Sequence, residues 1–316
     1  MKDNLPWHFL VNPAAARGRA RRWWALHLPQ IERALPGLSW EMSSPEVSLT
    51  DLAERAVRSG RRRIVGVGGD GTHHDILNGL VAAGLPEDLV YLPLPTGSGN
   101  DWVRTLGVPR RLSDWLGMLS SARTIRHTVG VLHYRSQAFG GGMPQQRYFL
   151  NVAGMAYDAE VVRRAEKSQF KRRLLYPVLT LAYLGEYLAP TVKLAWDEGQ
   201  ATCPVHTINL GLGRYSGGGM SLVPQADPQR GDFALTYARR LPIWKILLHS
   251  WRFYTTTIGR VPGVTTTTTH ALTATPTEGK LELEADGEWL GYGPVRAEVF
   301  PQRLAVLVPQ KSTDHD

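Results

Sequence analysis

The sequence predicts an N-terminal α/β domain built on a parallel sheet, followed by an antiparallel β domain. Over roughly the first 125 residues, short apolar runs alternate with segments of helical spacing. Strands alternating with helices of this length give a parallel sheet covered on both faces. After about residue 126 the texture changes to short alternating or β-branched runs separated by turn residues, as antiparallel sheets require. With 316 residues, 43% of them hydrophobic, the chain can bury a large core, and its length favours two domains over one.

Taken in order, residues 7–11 form a short apolar strand that stops at Asn12-Pro13, and an Arg- and Trp-bearing helix runs on to about Leu35. Residues 50–59 have helical spacing with an acidic start, and Gly60 ends them. A strand over 64–67, a helix over about 72–83 and a buried strand over 89–94 complete the pattern. The second region offers strands at 128–134, 147–152, 192–196, 205–212 and 233–237, with the threonine run 265–269 as an edge or hairpin strand. Helical interruptions fall at about 159–188 and at 244–254. Met220, Trp244 and Trp251 are expected in the core or lining a groove, and the last eight residues read as a tail.

The stretch GVGGDGTHHD, residues 66–75, matches Gly-x-Gly-x-x-Gly through Gly66, Gly68 and Gly71. A dinucleotide site needs an acid at the end of the next strand for the ribose. Here that strand ends in Leu94-Pro95-Thr96-Gly97, so the match fails in context, and no Walker A loop occurs. What remains is a phosphate cradle. Gly68 and Gly69 allow close backbone approach, and Gly71-Thr72 opens a helix whose free N–H groups attract anions. Asp70 would repel a phosphate unless a cation such as Mg2+ lay between them. An ordinary Gly-rich turn with Asp as helix cap is the plainer alternative. A second loop repeats the design: Thr96-Gly97-Ser98-Gly99, then Asn100-Asp101, then a helix. Two such loops at the ends of parallel strands would line one crevice.

The formal net charge is +8, with arginine clusters at 17–22 and 61–63 and a Lys-Arg-Arg cluster at 171–173. Such a balance favours polyanions, although solvated helix faces account for any one cluster. No helix-turn-helix or RNA-binding signature accompanies the charge, so nucleic acid is not the expected partner. The segment 174–188, flanked by 171–173, is a candidate to lie against a membrane, with a buried helix as the alternative. The single cysteine, Cys203, rules out an internal disulfide and points to a reducing compartment. With no signal-peptide core and no run of roughly 18–20 apolar residues, the expected location is cytoplasmic, with peripheral contact at the inner membrane face. His73-His74-Asp75 raises a zinc hypothesis, but adjacent histidines point to different sides of a helix.

Gly68-Gly69-Asp70-Gly71-Thr72 followed by Gly97-Ser98-Gly99-Asn100-Asp101-Trp102-Val103-Arg104 resembles the diacylglycerol kinase catalytic domain family, which includes bacterial lipid kinases and sphingosine and ceramide kinases. The resemblance continues through Asn12-Pro13, residues 151–158 (NVAGMAYD), Gly217-Gly218-Gly219-Met220 with Pro224, and Asp286-Gly287-Glu288. It implies an NAD kinase- or phosphofructokinase-like α/β nucleotide domain, residues 1–126 plus about 297–316. It also implies a C-terminal antiparallel β-sandwich for the lipid substrate, residues 127–296, with ATP in the cleft between them and a last strand over 297–308 returning to the first domain. It implies ATP contacts at Asn12, Pro13, Ser43, Gly68, Gly69, Asp70, Gly71, Thr72, Ser98, Gly99 and Asn100. Glu288 would be the catalytic base, taking the proton of a lipid hydroxyl. Asp70 and Asp101 would hold the catalytic Mg2+, and Asp286 would either join them or orient Glu288.

Three departures stand out: Ala16 where the family has Gly, Ser98 where it has Thr, and Arg230 and Ala234 where many bacterial members place acids near a structural Mg2+. Asp227 and Asp232 are the acids left near that site. The expected function is an ATP- and Mg2+-dependent lipid kinase acting on a diacylglycerol- or sphingoid-like hydroxyl. The alternatives are a lipid- or nucleotide-binding regulator with little catalysis and an NAD kinase. The oligomeric state, a homodimer included, is left open.

Overall fold

The computed structural model describes residues 5–97, 99–136, 142–167, 184 and 186–310. Ser98, the basic cluster at 171–173, most of the segment 174–188 and the tail beyond 310 lie outside the described residues. The chain forms two compact units, one of residues up to 127 together with 302 onward, the other of residues 128–301.

In the first unit, β1 (His8–Val11) is buried along its whole length and sits between β2 (Ser39–Met42) and β3 (Arg63–Gly68), parallel to both. Next come β4 (Val90–Pro95), β17 (Leu304–Val308) and β5 (Arg123–His127), in the sheet order β2-β1-β3-β4-β17-β5. Only the β17–β5 pair is antiparallel. The near-continuous burial of β1, β3 and β4 is what a sheet covered on both faces demands. Three left-handed residues, Ala16, Arg17 and Gly18, turn the chain into α1 (Arg19–Ala34). Helix α2 (Leu49–Arg58) starts in a capping box between Ser48 and Asp51, and Gly60 at φ 91° leaves it.

Helix α3 (Asp70–Ala82) packs on α2 through Gly79. A Cβ built there would lie 2.8 Å from the Ala53 Cβ and 3.0 Å from the Thr50 carbonyl carbon. Gly79→Val should therefore force the two helices apart and cost about 1–3 kcal/mol, seen as a lower urea midpoint. Helices α4 (Asp101–Leu106) and α5 (Leu112–Met118) follow.

The second unit is antiparallel throughout its named strands. Strands β6 (Gly130–Tyr134), β7 (Gln145–Phe149), β9 (Thr191–Trp196), β13 (Ala271–Glu278) and β16 (Val295–Val299) form one sheet. Strands β8 (Val152–Ala156), β11 (Phe233–Arg239), β12 (Val264–Thr269), β14 (Glu282–Ala285) and β15 (Glu288–Tyr292) form the other. The long β10 (Gly199–Gly211) pairs with β9 through its first half and with β8 and β11 through its second, so it carries the chain from one layer to the other. Leu194, Leu272 and Ala297 of one layer share a core with Met155, Leu210 and Leu283 of the other. Helix α6 is Tyr157–Lys167 and α7 is Ile243–His249, continued by a 3-10 turn at Ser250–Tyr254.

Two expectations are corrected. The run 147–152 is the end of β7, a buried turn and the start of β8, because Asp286 draws three backbone amides of 150–152 inward. The returning strand expected over 297–308 is two strands in different sheets, since Pro301 breaks the run. Strand β2 was unforeseen because its residues are half exposed and lack an apolar run. Of the two places expected for Trp244 and Trp251, the core or a groove lining, their exposure excludes the core. The threonine run does end its sheet, pairing only with β11. Among the described residues, no helix is long and apolar enough to cross a membrane.

Candidate active site

In the first unit the two glycine-rich turns meet at the carboxyl ends of β3 and β4. A Cβ built on Gly97 would lie 2.5 Å from the Gly69 Cα, so both positions are held to glycine by backbone approaching backbone. Asp70 joins the loops: its carboxylate accepts from the Asp101 N–H at 3.3 Å and the Trp102 N–H at 3.2 Å, the first amides of α4. A Cβ on Gly99 would come within 2.8 Å of the Asp70 Oδ2. Thr72 is buried, and its hydroxyl accepts from the Gly69 N–H at 3.3 Å and from the Asn12 amide at 2.9 Å. Asn12 in turn accepts from the Ala14 N–H, which shapes the turn at Pro13. Ser43 follows β2 and donates its N–H to the Val11 carbonyl at 3.0 Å, which places it beside the same strand ends.

Asn100 sits in the left-handed region at φ 58° and donates its amide to the Gly97 carbonyl at 2.8 Å. Its Oδ1 is buried with no hydrogen-bond partner, as is the Thr96 Oγ1. Buried oxygens of this kind cost about 1–3 kcal/mol when left unsatisfied, and here they line a loop cluster made of oxygen donors and backbone amides. Among the described residues no group of three or more His, Cys, Asp or Glu is placed to hold a metal by itself. A donor set of Asp70 and Asp101 suits Mg2+, which binds through one or two carboxylates and completes its shell with waters and substrate phosphates.

The histidines after the loop serve the core. The His73 Nδ1 bonds the Tyr91 hydroxyl at 2.7 Å, and its ring tilts against Trp102 at 5.2 Å. Trp102 donates its indole N–H to the His127 Nε2 at 2.9 Å, anchoring α4.

In the second unit, Asp286-Gly287 is the two-residue turn joining β14 to β15, with φ 53° and 88°, and Glu288 stands exposed at the start of β15. The turn is more than a connection. The Asp286 carboxylate accepts from the N–H groups of Leu150 at 3.0 Å, Asn151 at 2.9 Å and Val152 at 3.2 Å. Both oxygens are thus held by backbone amides, which fixes the turn that precedes Glu288. Behind the turn, Glu284 accepts from the Gly287 N–H at 2.8 Å.

Sequence reasoning missed the polar network that continues from there. Glu284 lies against Gly154, and a Cβ on Gly154 would also lie 3.2 Å from the Asp158 Cβ. Asp158 accepts from the Thr207 hydroxyl at 2.6 Å, and Asn209 donates to that hydroxyl at 3.1 Å. Thr207 and Asn209 also line a cavity of about 70 Å³ whose surface is almost wholly apolar, walled by Leu222, Leu241, Ile246 and Phe253. His206 also lines it, held neutral because burial drops its pKa to about 4.

These loops and this hairpin are matched across the chain. Residues 6–132 match the Diacylglycerol kinase catalytic domain. Residues 151–308, half of the chain, match the YegS C-terminal NAD kinase beta sandwich-like domain. The chain belongs to the diacylglycerol kinase catalytic domain family. Among its relatives, a Bacillus subtilis protein named "Putative lipid kinase YtlR" is 26% identical over 95% of this chain and 98% of its own. A Bacillus subtilis protein named "Diacylglycerol kinase" is 22% identical over 96% and 97%. A crystal structure of a diacylglycerol kinase from Bacillus anthracis strain Sterne shares the fold with a TM-score of 0.70, at 18% identity over 97% of each chain.

Within the diacylglycerol kinase family fold, this chain's departures have local causes. Ala16 adopts φ 51°, a left-handed conformation that glycine takes without strain. Arg230 pairs its guanidinium with Asp232 and donates to the Gln225 carbonyl at 3.0 Å, while Asp227 accepts from the Gln229 N–H at 2.9 Å. A fixed cation therefore sits where the resemblance leads one to expect acids.

Burial raises the pKa of Glu284 from 4.5 to about 8, with Asp158 and Asp286 adding to the rise. Burial also raises Asp158 and Glu282. The native protein thus keeps a proton on Glu284 that the unfolded chain releases above pH 4.5. Its contribution to stability is present in full below that pH and is lost as pH climbs towards 8. Glu284→Gln should flatten this decline by up to about 1.4 kcal/mol per pH unit, measured as urea unfolding across that window.

Proposed function

We propose that this protein is an ATP- and Mg2+-dependent kinase that transfers the γ-phosphoryl group to the hydroxyl of a diacylglycerol- or sphingoid-like lipid. The observation that carries the reading is the joining of the two glycine turns by Asp70, which fixes small residues, backbone amides and two carboxylates at the ends of parallel strands. A nucleotide domain spanning the first unit and a lipid-substrate domain spanning the second divide the work.

In this reading Gly68, Gly69, Gly71, Thr72, Ser98 and Gly99 cradle the phosphates, and Asn12, Pro13 and Ser43 border the nucleotide. Mg2+, held by Asp70 and Asp101, would neutralise charge on the phosphate oxygens. Glu288 accepts the proton of the lipid hydroxyl as that oxygen bonds to the γ-phosphorus, and the bond from phosphorus to the bridging oxygen breaks to release ADP. Asp286 holds the turn from which Glu288 projects. The apolar cavity walled by Leu222, Leu241, Ile246 and Phe253 supports a hydrophobic acceptor.

The test is incubation with labelled ATP and Mg2+ against diacylglycerol, monoacylglycerol, ceramide and sphingosine in mixed micelles, with NAD in parallel. Label on a lipid supports the reading. Label on NAD alone, or binding of nucleotide and lipid without turnover, rejects it.

A further inference from the structure

Six of the eleven exposed large apolar side chains among the described residues lie in one twelve-residue stretch, residues 243–254. Trp244 is 65% exposed, Leu248 60% and Trp251 53%, with Ile243, Leu247 and Tyr254 beside them. The positions 244, 247, 248 and 251 repeat at helical spacing and so share the outer face of α7 and its 3-10 extension. The inner face is occupied differently: Ile246 is buried with Tyr157, Val161 and Leu184, and Phe253 packs against them. Solvent exposure of so much aromatic surface on a short helix marks an interaction site.

The charge around it selects the partner. From residue 233 to 277 the chain has no Asp or Glu, while Arg239, Arg240, Lys245, Arg252 and Arg260 are all present. Arg239, Arg240 and Arg260 are exposed, and the Arg252 guanidinium stacks 4.4 Å from the centroid of the Trp251 ring. A two-fold pairing of this face with a second copy would set cation against cation. An anionic bilayer satisfies both features at once, taking indole rings at the headgroup level and basic side chains at the phosphates.

We propose that the outer face of α7 and its 3-10 extension is a docking surface for anionic phospholipid bilayers. Resting on the lipid kinase reading, docking would also set the membrane against the helix whose opposite face, through Ile246, walls the apolar cavity. The surface differs from the segment 174–188 that the sequence suggests for this role.

The test is co-sedimentation of the full chain, without nucleotide, with phosphatidylcholine vesicles containing or lacking phosphatidylglycerol. The parent should bind the mixed vesicles, and added salt should weaken that binding. Trp244→Glu with Leu248→Glu should reduce it about tenfold or more, with an unchanged thermal midpoint. Arg239→Gln with Arg240→Gln should remove part of the preference for phosphatidylglycerol. Vesicle binding equal in parent and variants, or no binding by the parent, overturns the proposal. So does a parent dimer that the Trp244/Leu248 variant converts to monomer, since the face would then belong to a second copy. Because no turnover is read, failure here leaves the kinase reading standing, and failure of the kinase assay leaves vesicle binding to be judged by itself.

Discussion

Replacing Asp70 by asparagine should lower phosphoryl transfer by about 10²- to 10³-fold, the scale of losing one preorganised electrostatic group. The carboxylate has two tasks that the amide cannot share. One is to accept the N–H groups of Asp101 and Trp102 with separate oxygens. In the variant one of those amides faces an NH2 group, at a cost of about 1–3 kcal/mol. The other task, in the proposed mechanism, is to supply half of the charge that holds Mg2+. The two can be told apart. Asp70→Asn should lose most of its transfer rate at saturating Mg2+ while its urea midpoint falls only modestly. A variant that retained parental transfer would remove Asp70 from the mechanism.

Glu288→Gln should leave nucleotide binding intact and reduce transfer by about 10²- to 10⁴-fold, the contribution of a positioned base. The side chain is exposed at the start of β15, and Ala285 is its partner across the hairpin, so the substitution removes no buried packing. The loss should appear in kcat and kcat/KM alike, because the proton is taken only as the lipid oxygen attacks. Unaltered turnover would show that Glu288 is merely the residue after a tight turn.

The loops were legible because each places small residues and an acid directly after an apolar strand, and strand ends in parallel sheets are where such loops converge. The Asp-Gly turn was legible too, yet the bonds from Asp286 to three amides more than 130 residues away were not. A separation of 49 residues likewise hid the bond from Thr207 to Asp158, which is brought about by the pairing of β8 with β10. Glu282 and Glu284 are both buried, which their alternation with leucine in residues 281–285 does not disclose. Tryptophans at 244 and 251 read as core or groove lining. Their exposure follows from which face of α7 meets Tyr157 and Leu184, a tertiary fact that local pattern does not carry.

The central claim is that the two turns joined by Asp70 bind a nucleotide triphosphate through a divalent cation. ATP affinity measured by calorimetry with and without Mg2+ tests it most directly. Mg2+ should tighten ATP binding to the parent by about 5- to 150-fold, the ordinary range of coupling between two ligands, and should have little effect on Asp70→Asn/Asp101→Asn. Equal ATP affinity in the presence and absence of the cation, or full Mg2+ dependence in the double variant, would contradict it.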